Sequence, residues 1–147
     1  MAFRKNQLKS LVTILFVLLS IAYGWFSGQF APLPDIAGDQ AEIYALVEAR
    51  ESGRMVSVQG TVVKILPDDN KGSRHQRFII RLDDNLTILV AHNIDLAPRV
   101  PLKTRETIHI HGQYEWNQKG GVLHWTHHDP RNQHEAGWIK FRNQIYQ

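Results

Sequence analysis

The sequence predicts a mainly β protein: a small OB-like antiparallel β-barrel, preceded by one short amphipathic helix and an N-terminal transmembrane or signal segment. Three observations carry that expectation. From Met55 onward apolar residues recur with a period of two. Turn clusters interrupt that alternation at short intervals. Ahead of it lie one helical stripe and one long uncharged apolar run.

The N-terminal run comes first in the chain. Arg4, Lys5 and Lys9 precede a stretch from Ser10 to Pro34 without a charged residue. Its apolar part, Leu11 to Phe26, spans about 24 Å as a helix. Extended to Phe30 it reaches about 20 residues, enough to cross a bilayer core. Tyr23, Trp25 and Phe26 suit the outer interface, and the positive end stays in the cytoplasm. Residues 1–30 are therefore expected to be a signal anchor, or a signal peptide cleaved after Ser20-Ile21-Ala22. Residues 11–30 would hold the chain in the inner membrane, with the globular part in the periplasm; cleavage would release it there. Residues 31–38, with Pro32 and Pro34, form an extended linker, and residues 39–147 the barrel domain.

Asp39 and Glu42 have the spacing of a capping box. Ile43, Leu46 and Val47 then make one apolar stripe, and Gly53 is a natural stop, so the helix is expected over Gln40–Ser52. Strands follow over Met55–Leu66 (with Gly60 as a bulge), Arg74–Leu82, Leu86–Ala91, Glu106–Trp116, Val122–His127 and Trp138–Tyr146. Pro67–Gly72, Asp83–Asn85 and Asn117–Gly121 supply turns.

Charge and composition narrow the chemistry. The net charge of +3 sits wholly in the first nine residues; beyond them basic and acidic residues balance. That removes most of the electrostatic case for a nucleic-acid partner. With no cysteine there is no disulfide, thiolate metal site or Cys nucleophile. All eight histidines lie between positions 75 and 134, so any chemistry is expected to be histidine chemistry.

Two constellations stand out. On the fourth strand His109 and His111 share a face opposite Ile108 and Ile110. A four-residue hairpin loop would pair Tyr114 with Leu123 and Gln113 with His124, bringing His124 to that face and leaving Leu123 and Trp125 buried. A five-residue loop would turn His124 inward. The second constellation is the run His124, His127, His128 and Asp129, with His134 close behind. Imidazole with carboxylate suits a transition metal such as zinc, and Asp129 could instead orient a histidine or simply make a turn. His109, His111, His124, His127, His128 and Asp129 are thus the metal candidates. Arg74, His75, Arg77, His92, Asn93 and His134 are the candidates for binding a small anionic ligand, because arginine favours phosphate and carboxylate. No catalytic nucleophile or complete catalytic site is identifiable, and a metal-dependent hydrolase is the enzymatic option left open.

From about Val58 to Gln147 the chain resembles a small bacterial family of uncharacterised proteins marked by an HWTH motif, here His124-Trp125-Thr126-His127. Gly112-x-Tyr114-Glu115-Trp116-Asn117, Gly120-Gly121-Val122, His128-Asp129-Pro130 and Gly137-Trp138-Ile139 extend the likeness. It implies a small secreted or membrane-tethered β-barrel and carries no activity with it. Two other functions compete with metal or anion binding: an OB-type oligonucleotide module, and a structural or interaction module of the cell envelope. Trp125 is expected in the core rather than as a stacking platform.

Overall fold

In the computed structural model, residues 36–147 are described. The expected signal segment, 1–30, lies outside them. Among the described residues no helix is long and apolar enough to cross a membrane.

The helix α1 runs Ile36–Ala49. It therefore opens inside the stretch expected to be linker, and Asp39 lies within it rather than capping it. It also ends earlier than expected. Arg50 adopts a left-handed φ of 58°, with its N–H bonded to Val47 O and the Glu51 N–H to Leu46 O. This is a Schellman-type stop made by an arginine in place of Gly53. Ile43 and Leu46 are buried against the sheet and Val47 half-buried, as the stripe required.

Seven strands follow, so the described residues are mainly β with one short helix. They are β1 (Arg54–Asp69), β2 (His75–Arg81), β3 (Thr87–Asn93), β4 (Thr107–Glu115), β5 (Val122–His124), β6 (Trp138–Phe141) and β7 (Gln144–Tyr146). Their order in the sheet is β1-β2-β3-β5-β4-β6-β7, and β1 also pairs with β4. The pairings β1-β2-β3-β5-β4 thus return to β1 and form a closed circuit. All are antiparallel except β3 with β5.

β1 is shared between two partners. Arg54–Thr61 pair with β4, and Thr61–Asp69 with β2. Gly60 stands at the changeover, where a Cβ would lie 3.1 Å from Arg81 O and from Ile80 Cβ. Its role is close approach; the bulges fall later, between Val62 and Lys64 and between Leu66 and Asp69. The second irregularity lets the strand run on through Pro67, where a turn was expected.

Alternation sets the core. Phe78 and Ile80 on β2, Ile88 and Val90 on β3, and Ile108 and Ile110 on β4 are all buried. The β4–β5 hairpin takes the four-residue-loop register, with Tyr114 opposite Leu123 and Gln113 opposite His124. The expected last strand is two strands, because Arg142 takes a φ of 56° and turns the chain back on itself.

Candidate functional site

The site begins where β5 stops. Trp125 has a φ of 51°, so alternation breaks there. β5 ends at His124 instead of His127, and Trp125 is half-buried rather than in the core. The chain then crosses β4 at Gly112, where a Cβ would lie 2.7 Å from Thr126 Cγ2 and 2.6 Å from His124 O. Only glycine leaves room for this crossing.

Thr126 is fully buried and its Oγ1 is 2.8 Å from His92 Nδ1. The other nitrogen of His92, Nε2, is 3.1 Å from Pro98 O. A carbonyl oxygen only accepts, so Nε2 carries the hydrogen and the Thr126 hydroxyl donates to Nδ1. Burial foremost, opposed by the Pro98 carbonyl and aided by nearby His127, lowers the His92 pKa to about 4. His92 is a neutral wall post behind the site, not a free ligand group.

The loop after Thr126 is shaped by Asp129. Its Oδ1 accepts the Arg131 N–H at 2.9 Å, and its Oδ2 accepts those of Gln133 and, at 2.9 Å, His134. Burial opposes ionisation, yet these three N–H groups, together with His134, hold the carboxyl at about 2. The Gly137 N–H closes the loop onto His127 O at 3.0 Å.

The result is a cleft of about 580 Å³, whose lining includes His75, Asn93, Asp95, Leu96, His124, Trp125, His127, Asp129, Arg131 and His134. That is the size of a small-molecule site. Three of its imidazoles are oriented alike. Nδ1 of His75 lies 2.8 Å from Ser73 O, Nδ1 of His127 2.8 Å from His128 O, and Nδ1 of His134 2.7 Å from Glu135 O. Each Nδ1 must therefore bear the hydrogen, and in the neutral ring Nε2 keeps its lone pair. The His134 ring stacks on Trp125 at 4.1 Å between centroids and meets His127 edge-on at 5.6 Å. His124 Nε2 is buried without a hydrogen-bond partner among the described residues, 3.6 Å from Glu115 Oε1. Burial lowers the His124 pKa against the pull of Glu115.

The candidate residues thus divide. His75, Asn93, His124, His127, Asp129 and His134 come together in the cleft from three separate segments. Arg74 is not in the lining but is ion-paired at 2.7 Å with Asp95, which is, and Arg77 Nε donates to Pro67 O at 3.0 Å. His128 is exposed outside it. His109 and His111 do not line it. His111 lies between Ser57 Oγ (2.9 Å) and Glu135 Oε1 (3.0 Å) and stacks on Trp138, while burial and Lys140 lower the His109 pKa. Among the described residues no three His, Asp or Glu side chains stand ready to hold one metal ion. Trp125, Asp95 and Arg131 join the lining without having been singled out as site residues. For Trp125 the signal was blurred by assuming unbroken alternation.

A mainly β domain with one imidazole-lined cleft is therefore the class that fold and site define. The chain belongs to the family described as protein of unknown function (DUF3465), whose profile matches residues 25–147. The expectation of a family of unknown function is met, and the match starts ahead of Val58, so it takes in α1 and β1. No curated protein matches the chain.

Proposed function

We propose that this is a small-ligand-binding module: an OB-type β-barrel, tethered by residues 11–30 to the periplasmic face of the inner membrane, with its ligand in the histidine cleft. The barrel reading is supported by the closed circuit of five strands and by a long β1 divided between two partners. The tether is supported by the three basic residues ahead of the uncharged apolar run. One observation carries the function: three imidazoles in one cleft each spend Nδ1–H on a main-chain carbonyl, which leaves Nε2 for a ligand.

An oligonucleotide-binding reading draws on the same strand circuit. It has less support, because one face of Trp125 is covered by His134. The test is native mass spectrometry of the full chain purified from its membrane, beside His134→Phe. That variant keeps a ring against Trp125 and removes both nitrogens. The reading expects a bound small ligand on the wild type that the variant loses while its melting temperature is kept or raised. A bare wild-type polypeptide, with a variant that melts lower, would instead favour a structural module.

A further inference from the structure

We infer that the ligand of the cleft is a divalent first-row transition-metal ion, held between Nε2 of His127 and Nε2 of His134, with the Asp129 carboxylate beside it. This rests on reading the cleft as a ligand site.

The two rings stand near each other and are prepared alike. Each is fixed through Nδ1–H, so Nε2 is the lone-pair nitrogen, the usual preparation of a metal-binding imidazole. Their centroids are 5.6 Å apart and their planes are 81° from parallel. Two imidazoles on one tetrahedral ion, at a metal–nitrogen distance of about 2.0–2.1 Å, have ring centres about 5 Å apart. A small inward shift closes the difference.

The charge around them favours a cation. Asp129 Oδ2 is 3.9 Å from His134 Nε2. Oδ2 already accepts two N–H bonds, but Oδ1 accepts one and keeps a lone pair. Arg74 is ion-paired with Asp95 and Arg77 donates to Pro67 O, which leaves Arg131 as the arginine of the lining, against the carboxylates of Asp95 and Asp129. Imidazole donors select zinc, copper, nickel or iron over calcium and magnesium.

Two imidazoles leave coordination positions open. His75, at the start of β2, lines the same cleft and offers a third Nε2; like His134 it is half-buried, whereas His127 is buried. The ion is thus gripped by the loop residues first and capped by His75, with water in the remaining position.

The experiment is a titration of the full chain in detergent with Co²⁺ as a spectroscopic probe and Zn²⁺ as competitor. One equivalent of Co²⁺ is expected to bind with a visible ligand-field band, and Zn²⁺ to displace it. His134→Phe should weaken binding at least about tenfold, and His75→Phe severalfold. His128→Ala, outside the cleft, should bind as wild type. Zn²⁺ should raise the melting temperature of the wild type and leave that of His134→Phe in place. A readout without variants is also available: Zn²⁺ must move the ring resonances of His127 and His134 and spare those of His109 and His128. Absence of stoichiometric Co²⁺, or ring shifts confined to His109 and His128, overturns the inference. If the purified protein carries a metal-free ligand that His134→Phe loses, the cleft stands and the metal falls; if it carries nothing and takes up no Co²⁺, both fall.

Discussion

The Thr126 hydroxyl donates a 2.8 Å hydrogen bond to Nδ1 of His92, joining the strand that ends at Asn93 to the segment that leaves β5. Both side chains are fully buried. Thr126→Val keeps the shape, removes the donor and strands the nitrogen lone pair. It should lower the unfolding free energy by about 1–3 kcal/mol, whereas Thr126→Ser should lose about 1 kcal/mol or less. Urea denaturation of the two variants separates the hydroxyl from the methyl, and equal losses would refute its role.

The same pair gives the domain an acid-sensitive stability. The folded His92 pKa, about 4, lies below the ordinary 6.5. Above pH 6.5 the ring is neutral in both states and its contribution is complete. Between 6.5 and about 4 the unfolded chain takes up a proton that the folded chain refuses, so stability falls as pH falls. The full loss is about 3 kcal/mol. Denaturation curves from pH 7 to pH 4 should show this decline, and His92→Gln should flatten it by about one proton. An unchanged slope in the variant would remove His92 as the cause.

Gly137 is expected to be irreplaceable for a steric reason. A Cβ there would lie 2.0 Å from Trp125 O and 2.6 Å from His111 O, both main-chain atoms that cannot move aside alone. Gly137→Ala should cost about 3 kcal/mol or more. Gly72 is the control: its φ is +74° but nothing lies within 4 Å. Gly72→Ala meets backbone strain only and should cost about 1–2 kcal/mol. Thermal melts showing similar losses would contradict the packing argument.

Asp129 should govern the order of its own loop. Asp129→Asn turns one acceptor oxygen into a donor, so at least one of the three loop N–H groups loses its partner. Amide exchange at Arg131, Gln133 and His134 should quicken by about tenfold or more, while exchange in β4 stays as it was. Uniform acceleration across the sheet would show that the loop is not a separate unit.

Much of this architecture was legible from residue order, and three of the departures share one physical cause. The β4–β5 register is the four-residue-loop one of the two that the hairpin sequence left open, and the strand interiors followed from alternation. The failures fall at Arg50, Trp125 and Arg142, three non-glycine residues with left-handed φ. Each ends an element where side-chain chemistry gives no sign, so α1, β5 and the last strand were drawn too far. The clustering of histidines falls on a segment that lines the cleft. Which of them face each other depends on the tertiary approach of β2 to the end of β5, which local pattern does not encode. His92 was the exception: Ile88, Val90 and His92 stand two apart, so its inward aim could have been read from β3.

The double pairing of β1 also sets how the chain must fold. Its first half pairs with the distant β4, Arg54 opposite Tyr114, and β3 pairs with β5, which lies beyond the hairpin at Asn117–Gly121. Nothing local can close the circuit early. Domains ruled by such distant pairings fold in about milliseconds to seconds. Until β4 arrives, the edge of β1 lies open to other chains. The exposed interval during biogenesis, rather than the finished state, is then where this protein is most vulnerable to aggregation.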